Sequence, residues 1–139
     1  MLDDLHRLLA ELGYDETRRP GGDIGIGVDI EEVARWRRPD ERLFTDAERG
    51  HCRATGRPAE SYAGRWCAKE ATLKAVSPFL AVGLRDVEII AAPDGCPQVR
   101  LTGAGAGWAG TVRVSIAHSP SLAVAVAVAS RHRGERETS

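Results

Sequence analysis

The sequence lacks several features that would place it in a large class of proteins. Its three cysteines are odd in number and widely spaced, with no C-x-x-C pair, so neither a disulfide framework nor a zinc site is predicted. Its longest apolar run, residues 122–129, is far too short to cross a membrane. The N-terminus carries acids where a secretion signal has basic and then apolar residues. We therefore expect a cytoplasmic protein with free thiols.

The chain also lacks an excess of positive charge. Its formal net charge is −1 and its pI is about 6.4, which argues against general nucleic-acid binding. The charge is unevenly distributed, however, because residues 35–65 hold more arginines than acids. An acidic partner would be steered toward this segment, although a solvated arginine-rich loop would carry the same charges.

Lysine is nearly absent, since Lys69 and Lys74 are the only lysines among 19 basic residues. Both fall within residues 61–76, where helix-forming residues and apolar spacings of three, four and seven predict a helix. Glu70 and Lys74 are one turn apart, so their side chains lie over one patch, as they do in an ordinary solvated surface pair. The predicted apolar face of this helix consists of Tyr62, Trp66, Leu73 and Val76.

The length of 139 residues predicts a single folded domain with extensions. We divide the chain into an N-terminal amphipathic helix and linker (1–22), a main domain (23–130) and a charged tail (131–139). The leucines of residues 2–12 share one helical face, and a glycine follows them. This helix would cover an apolar patch on the domain itself or on a neighbouring subunit.

Residues 24–30 predict a buried strand, because apolar residues alternate with glycines at which another backbone comes close. Asp29 is an acid within this strand, and such a placement is unfavourable unless the carboxylate is paired or binds a metal. The alternative is that Asp29 lies at the strand end and caps the following turn. A dinucleotide-binding fingerprint is not present, because the third glycine and the following helix are missing.

The middle of the chain predicts a second helix and a hairpin. Thr45, with Glu48 three residues later, predicts a capped helix that runs to about Thr55. Residues 87–91 and 98–101 flank an Asp-Gly turn signal and predict two antiparallel strands.

The C-terminal part predicts the rest of the sheet. Residues 112–118 alternate between apolar and other residues, whereas residues 122–129 are apolar throughout and predict a central strand covered on both faces. His118 lies where the first of these strands gives way to a turn, and its position alone predicts a satisfied structural histidine. The predicted fold class is α+β: an antiparallel sheet with a long helix packed on it.

Three separated segments together resemble one enzyme family. They are residues 27–35 (Gly-Val-Asp-Ile-Glu-Glu-Val-Ala-Arg), residues 65–75 (Arg-Trp-Cys-Ala-Lys-Glu-Ala-Thr-Leu-Lys-Ala) and residues 114–118 (Val-Ser-Ile-Ala-His). This combination resembles the signature segments of 4′-phosphopantetheinyl transferases of the holo-acyl-carrier-protein synthase type, over roughly residues 23–129. The resemblance implies the fold of that family.

The resemblance also implies a reaction, in which 4′-phosphopantetheine moves from coenzyme A to a serine of an apo acyl carrier protein and adenosine 3′,5′-bisphosphate is released. It implies that Asp29 and Glu70 are the Mg²⁺ ligands and that Lys74 contacts the same phosphates. Glu70 or a metal-held water would accept the serine proton, so Asp29, Glu70 and Lys74 form the implied catalytic set. Arg65 and His118 match positions that contact coenzyme A.

The partners implied are coenzyme A and an acidic apo acyl carrier protein of fatty-acid or polyketide synthesis, with no nucleic acid and no membrane. The family typically forms trimers, so a homotrimer is one expected assembly, and the short segment 103–110 bears on its contacts. Two other functions stay open. One is a non-catalytic member of the fold that binds a carrier protein or coenzyme A within a synthase assembly. The other is an unrelated magnesium-dependent phosphohydrolase that uses the same two acids.

Overall fold

The computed structural model describes residues 22–132. The predicted N-terminal helix and nearly all of the predicted tail lie outside the described residues. None of the helices between residues 22 and 132 has the length and apolarity needed to span a membrane. The strands and α-helices of this part of the chain are, in order, β1 (Ile24–Glu32), α1 (Asp46–Ala54), α2 (Pro58–Val76), β2 (Val87–Ala91), β3 (Pro97–Leu101), β4 (Gly110–His118) and β5 (Leu122–Arg131).

The described strands form two antiparallel sheets. One has three strands in the order β1-β5-β4, and the other is the β2-β3 hairpin. β4 and β5 are joined by a tight turn and pair with each other, while β1 pairs with the opposite edge of β5. The predicted α+β class, the hairpin and the central position of β5 are therefore confirmed.

Helix α2 lies directly against the three-stranded sheet, because the residues at the contact are small. A Cβ atom at Gly27 would overlap the carbonyl oxygen of Ala71, and one at Gly25 would overlap that of Ala75. Only glycine lets the backbones of β1 and α2 approach this closely. The β5 residues that face α2 are alanines with at most 1% exposure: Ala123, Ala125, Ala127 and Ala129.

The predicted apolar face of α2 is only partly correct. Tyr62 and Val76 are buried, but Trp66 and Leu73 are only partly buried. The helix packs against β1, β4 and β5 on one side and against α1 and β2 on another, so it is enclosed over most of its circumference. A helix enclosed in this way does not need a single apolar stripe, and small side chains fill much of its contact surface.

The outer face of the three-stranded sheet corrects two predictions. β1 was expected to be buried and β5 to be covered on both faces, yet within the described residues only the α2 side of each strand is covered. An apolar sheet face of this kind is typical of a surface that contacts another chain. The large apolar side chains on it, which are 42–69% exposed, are Ile24, Ile26, Val28, Ile30, Leu122, Val126 and Val128.

The segment between β1 and α1 contains two 3-10 turns, Val33–Trp36 and Glu41–Leu43. Helix α1 begins as predicted: the Thr45 hydroxyl accepts the Glu48 amide at 3.2 Å, and the Thr45 amide donates to the Glu48 carboxylate at 2.8 Å. The three cysteines are free, also as predicted.

Four aromatic rings with centroids 5.0–6.5 Å apart anchor the segment between β1 and α1 on α2: Trp36, Phe44, Tyr62 and Trp66.

Candidate active site

Asp29 lies on the face of β1 that meets α2. It follows Gly25 and Gly27 at two-residue intervals, and side chains alternate between the faces of a strand. Its side chain is 17% exposed. Asp29 pairs with Ala125 in the middle of the sheet, and β1 continues to Glu32. The alternative that Asp29 caps a turn at the strand end is therefore wrong.

Lys74 reaches from α2 to this strand. Its ammonium donates to the carbonyl oxygen of Val28 at 2.8 Å and lies 3.3 Å from Oδ1 of Asp29. These contacts join a helix to a strand, so Lys74 is directed to β1 and is not simply half of a solvated pair with Glu70 along the helix. The Lys74 side chain is 53% exposed, and the ammonium is accessible to an added ligand.

Glu70 is half-buried beside this pair. Burial, and after it the negative charge of Asp29, raise the pKa of the Glu70 carboxyl, while Lys74 lowers it. The second carboxylate oxygen of Asp29, Oδ2, is buried and has no hydrogen-bond partner. Two neighbouring carboxylates with one unpartnered oxygen form a concentration of negative charge that one lysine only partly offsets.

This set of donors fits a hard divalent cation. Mg²⁺ prefers one or two carboxylates and completes its shell with phosphate oxygens and water, and a cation at Asp29 and Glu70 would give the unpartnered oxygen a ligand. Across residues 22–132 there is no group of three or more His, Cys, Asp or Glu side chains placed to hold a metal together. An ion held here would therefore take its other ligands from substrate or water.

Glu31 also faces this region, although it was not predicted as a site residue. It follows Asp29 by two residues, so both side chains lie on one face of β1, and this Asp-x-Glu spacing was the available sequence signal. One Glu31 oxygen accepts the Trp36 indole N–H at 3.3 Å and lies 3.6 Å from the Arg35 guanidinium. Its charge contributes to the raised pKa of Glu70. Glu31 thus connects the 3-10 segment to the acidic pair formed by Asp29 and Glu70.

The other two predicted site residues, Arg65 and His118, meet in a second place. They line a cavity of about 210 Å³ between the start of α2, the end of β4 and the β2-β3 turn. Arg65 is 8% exposed, and its Nε has no hydrogen-bond partner. Burial lowers the pKa of this guanidinium, and the nearby Cys52 and Glu48 only partly oppose this effect.

His118 is the last residue of β4, and its side chain is 47% exposed toward this cavity. It therefore differs from the satisfied structural histidine that its position alone predicted, because its ring is open to the cavity. Its Nδ1 lies 3.5 Å from Oε2 of Glu60, a residue in the first turn of α2 that sequence reasoning missed. Glu60 is only 5% exposed, and this oxygen has no hydrogen bond.

Lys69 lies in the protein interior, away from both places. Its ammonium donates to Oε1 of Glu48 at 2.6 Å and to the carbonyl oxygen of Val87 at 2.8 Å, and the Lys69 and Glu48 side chains are at most 1% exposed. Glu48 was predicted only as a helix cap. The pair joins α1, α2 and β2, and it has no access to a ligand.

Residues 25–127 match the family model of the 4′-phosphopantetheinyl transferase superfamily. This chain belongs to that superfamily. A curated relative, the holo-[acyl-carrier-protein] synthase of Methylobacterium radiotolerans, is 36% identical over 119 residues, which cover 72% of this transferase chain and 88% of the relative. The predicted family and enzyme class are confirmed.

Two further relatives differ greatly in how much of their length this chain matches. The fatty acid synthase subunit alpha of Schizosaccharomyces pombe is 42% identical over 105 residues, which cover 67% of this chain but only 6% of that subunit. A Chronobacterium ammoniagenes acyl-carrier-protein synthase solved in complex with coenzyme A superposes with a TM-score of 0.68 and 25% identity, covering 81% of this chain and all of the solved one. The family fold is thus found both as a separate protein and as a small part of a very large subunit.

Proposed function

We propose that this transferase moves 4′-phosphopantetheine from coenzyme A to a serine of an apo acyl carrier protein and releases adenosine 3′,5′-bisphosphate. The observation that carries the proposal is the unpartnered Oδ2 of Asp29 beside Glu70 and Lys74. Two acids and a lysine form the charge pattern that a divalent cation and a pyrophosphate would complete together. The similarity to a synthase solved with coenzyme A supports the choice of donor.

The roles of the three residues follow from their positions. Asp29 and Glu70 would hold Mg²⁺, which when bound neutralises negative charge on the pyrophosphate. Lys74 would orient a phosphate oxygen, since its exposed ammonium is a mobile point charge. Glu70 would take up the proton of the serine hydroxyl directly or through a metal-held water, because its carboxylate lies beside the Lys74 ammonium that would orient the phosphate.

The cavity of Arg65 and His118 would bind another part of coenzyme A. The donor carries a pyrophosphate and a separate 3′-phosphate on its ribose. With the pyrophosphate at Asp29, Glu70 and Lys74, the 3′-phosphate is the anionic group left for this cavity. A buried guanidinium without an acceptor favours a phosphate ligand.

The carrier protein would dock on the segment that follows β1. Arg37 and Arg38 are exposed, and no carboxylate of residues 22–132 forms an ion pair with them. Arg35 is exposed as well, but it lies 3.6 Å from Glu31, next to the acidic pair. An acidic carrier protein is complementary to these arginines, and charge complementarity of this kind raises the rate of encounter.

The apolar outer face of the three-stranded sheet would be covered by further copies of the transferase in a homotrimer. The exposed β1 and β5 side chains form one face, since Ile26 is opposite Val128 and Val28 is opposite Val126. Light scattering of the purified chain should give the mass of a trimer. A Val28→Lys variant, with a charge at the centre of this face, should give smaller species. A monomeric wild type would contradict the assembly.

Transfer itself is tested by intact-protein mass spectrometry of an apo acyl carrier protein incubated with the transferase, coenzyme A and Mg²⁺. We expect the carrier to gain one phosphopantetheine and a chelator to prevent the gain. Asp29→Ala and Glu70→Ala should each abolish the gain while circular dichroism stays that of the wild type. Asp46→Ala, which removes a fully exposed acid from the first turn of α1, is the matched control and should transfer normally.

The possible results separate the functions that the sequence left open. Full activity of either site variant would contradict the proposed ligand pair. Absence of transfer to any carrier protein, with coenzyme A still bound, would favour the non-catalytic binding member. Release of adenosine bisphosphate without any carrier protein would favour a phosphohydrolase.

A further inference from the structure

The cavity proposed for the 3′-phosphate contains a carboxylate, which is an unexpected group for a site that binds an anion. Glu60 lines it together with Arg65 and His118. Two nitrogen-bearing side chains approach its Oε2, with the His118 Nδ1 at 3.5 Å and the Arg57 guanidinium at 3.6 Å. Both distances are longer than a hydrogen bond, and Oε2 is buried without a partner. Glu60 is therefore a buried acid whose two neighbouring donors lie just beyond hydrogen-bond distance.

The contact between Glu60 and His118 involves one particular ring nitrogen, Nδ1. His118 lies at the end of β4 with its side chain half exposed, and within residues 22–132 Glu60 is the only carboxylate within 4 Å of its ring nitrogens. With Nδ1 turned toward Glu60, Nε2 is the nitrogen left to meet a ligand. A carboxylate beside one ring nitrogen favours a proton there and fixes the orientation of the ring.

We propose that Glu60 is a positioning residue that orients His118, through Nδ1, so that the ring and Arg65 together bind the 3′-phosphate of coenzyme A. This inference rests on the proposed function of the cavity. Glu60 thereby determines how strongly the transferase distinguishes coenzyme A from the same molecule without its 3′-phosphate. Its role differs from that of Asp29 and Glu70, which form the acidic pair proposed to hold the cation.

Two opposed effects of Glu60 must be weighed. Its negative charge repels an entering phosphate, but the Arg57 guanidinium at 3.6 Å already offsets part of that charge. Its effect on the orientation of the His118 ring cannot be replaced in the same way, because no other carboxylate of residues 22–132 approaches the ring nitrogens. Orientation should therefore outweigh repulsion, and removal of the carboxylate should weaken binding of the phosphate.

The test measures dissociation constants by calorimetry for coenzyme A and for 3′-dephospho-coenzyme A, so that it does not depend on transfer. In Glu60→Gln the preference for coenzyme A should fall about tenfold. This is the effect of losing one hydrogen bond to a charged group, here the bond from the His118 ring to the 3′-phosphate. His118→Ala should produce a similar fall. The double variant should resemble His118→Ala alone, because Glu60 acts through that ring. The matched control is Glu88→Gln, which changes another buried acid that pairs with an arginine but does not line the cavity.

Other results would overturn the proposal. An unchanged preference in Glu60→Gln, or tighter binding of coenzyme A, would show that orientation of His118 is not the role of Glu60. Additive losses in the double variant would show that Glu60 does not act through His118. Should Glu60→Gln fail to fold, Glu60→Asp keeps the charge but withdraws it from Nδ1, and an unchanged preference there would also overturn the proposal. A wild type that binds neither compound would instead contradict the proposed function itself.

Discussion

Helix α2 contributes a lysine to each of two carboxylate clusters, and the clusters differ in how completely their polar atoms are paired. In the interior cluster, Glu48 accepts from Lys69 at 2.6 Å and from the amides of Thr45 at 2.8 Å and Ile89 at 2.9 Å. Lys69 also donates to a β2 carbonyl, and both side chains are fully enclosed. This cluster has a partner for each of its carboxylate oxygens.

The surface cluster contains the same residue types in a less complete arrangement. Asp29 has one oxygen near Lys74 and one buried oxygen without a partner, while Glu70 adds a second negative charge. A charged group that is buried without full pairing is destabilising, so such an arrangement indicates a ligand that completes it. The interior cluster holds α1, α2 and β2 together, whereas the surface cluster is the one that we propose to bind substrate.

The largest effect should come from breaking the interior cluster. Lys69→Met would leave the Glu48 carboxylate buried without its counter-ion, and loss of one partner of a buried pair costs about 3–5 kcal/mol. We expect the free energy of unfolding, measured by urea denaturation, to fall by that amount. The same substitution in the surface cluster, Lys74→Met, is the matched control. It should change the free energy of unfolding by no more than about 1 kcal/mol, because Lys74 is half exposed. Equal losses in the two variants would contradict the distinction between the clusters.

The two lysines also show what the sequence could and could not predict. Their placement in one helix was evident from the sequence, and so were the acid within β1 and the cap of α1. The family resemblance pointed to Lys74 as the lysine of the site, but composition and spacing alone did not show which lysine meets the acid, because this depends on how α2 is rotated against the sheet. That rotation follows from the contact of Gly25 and Gly27 with the α2 backbone, a contact between elements that are far apart in the chain.

Burial was harder to predict than the elements themselves. β1 and β5 are strongly apolar, and this composition predicted strands covered on both faces. Apolar side chains on the outer face are equally expected when another chain covers that face, and one sequence does not separate the two cases. Glu60 was missed for a related reason: it lies in the first turn of α2, five residues before Arg65, and only the folded chain brings it to His118 at the end of β4.

A smaller change in the free energy of unfolding, of opposite sign, should come from the surface cluster. Glu70→Gln removes a negative charge that faces Asp29, so without Mg²⁺ the variant should be about 0.5 kcal/mol more stable than the wild type. Mg²⁺ should raise the Tm of the wild type, because a ligand of the folded state stabilises it, and it should raise that of the variant much less. Glu48→Gln is the matched control: it should lower stability with or without Mg²⁺, since it breaks the interior pair. An equal Mg²⁺ effect on the wild type and Glu70→Gln would show that Glu70 does not hold the cation, and a loss of stability as large as that of Glu48→Gln would show that its charge is already compensated.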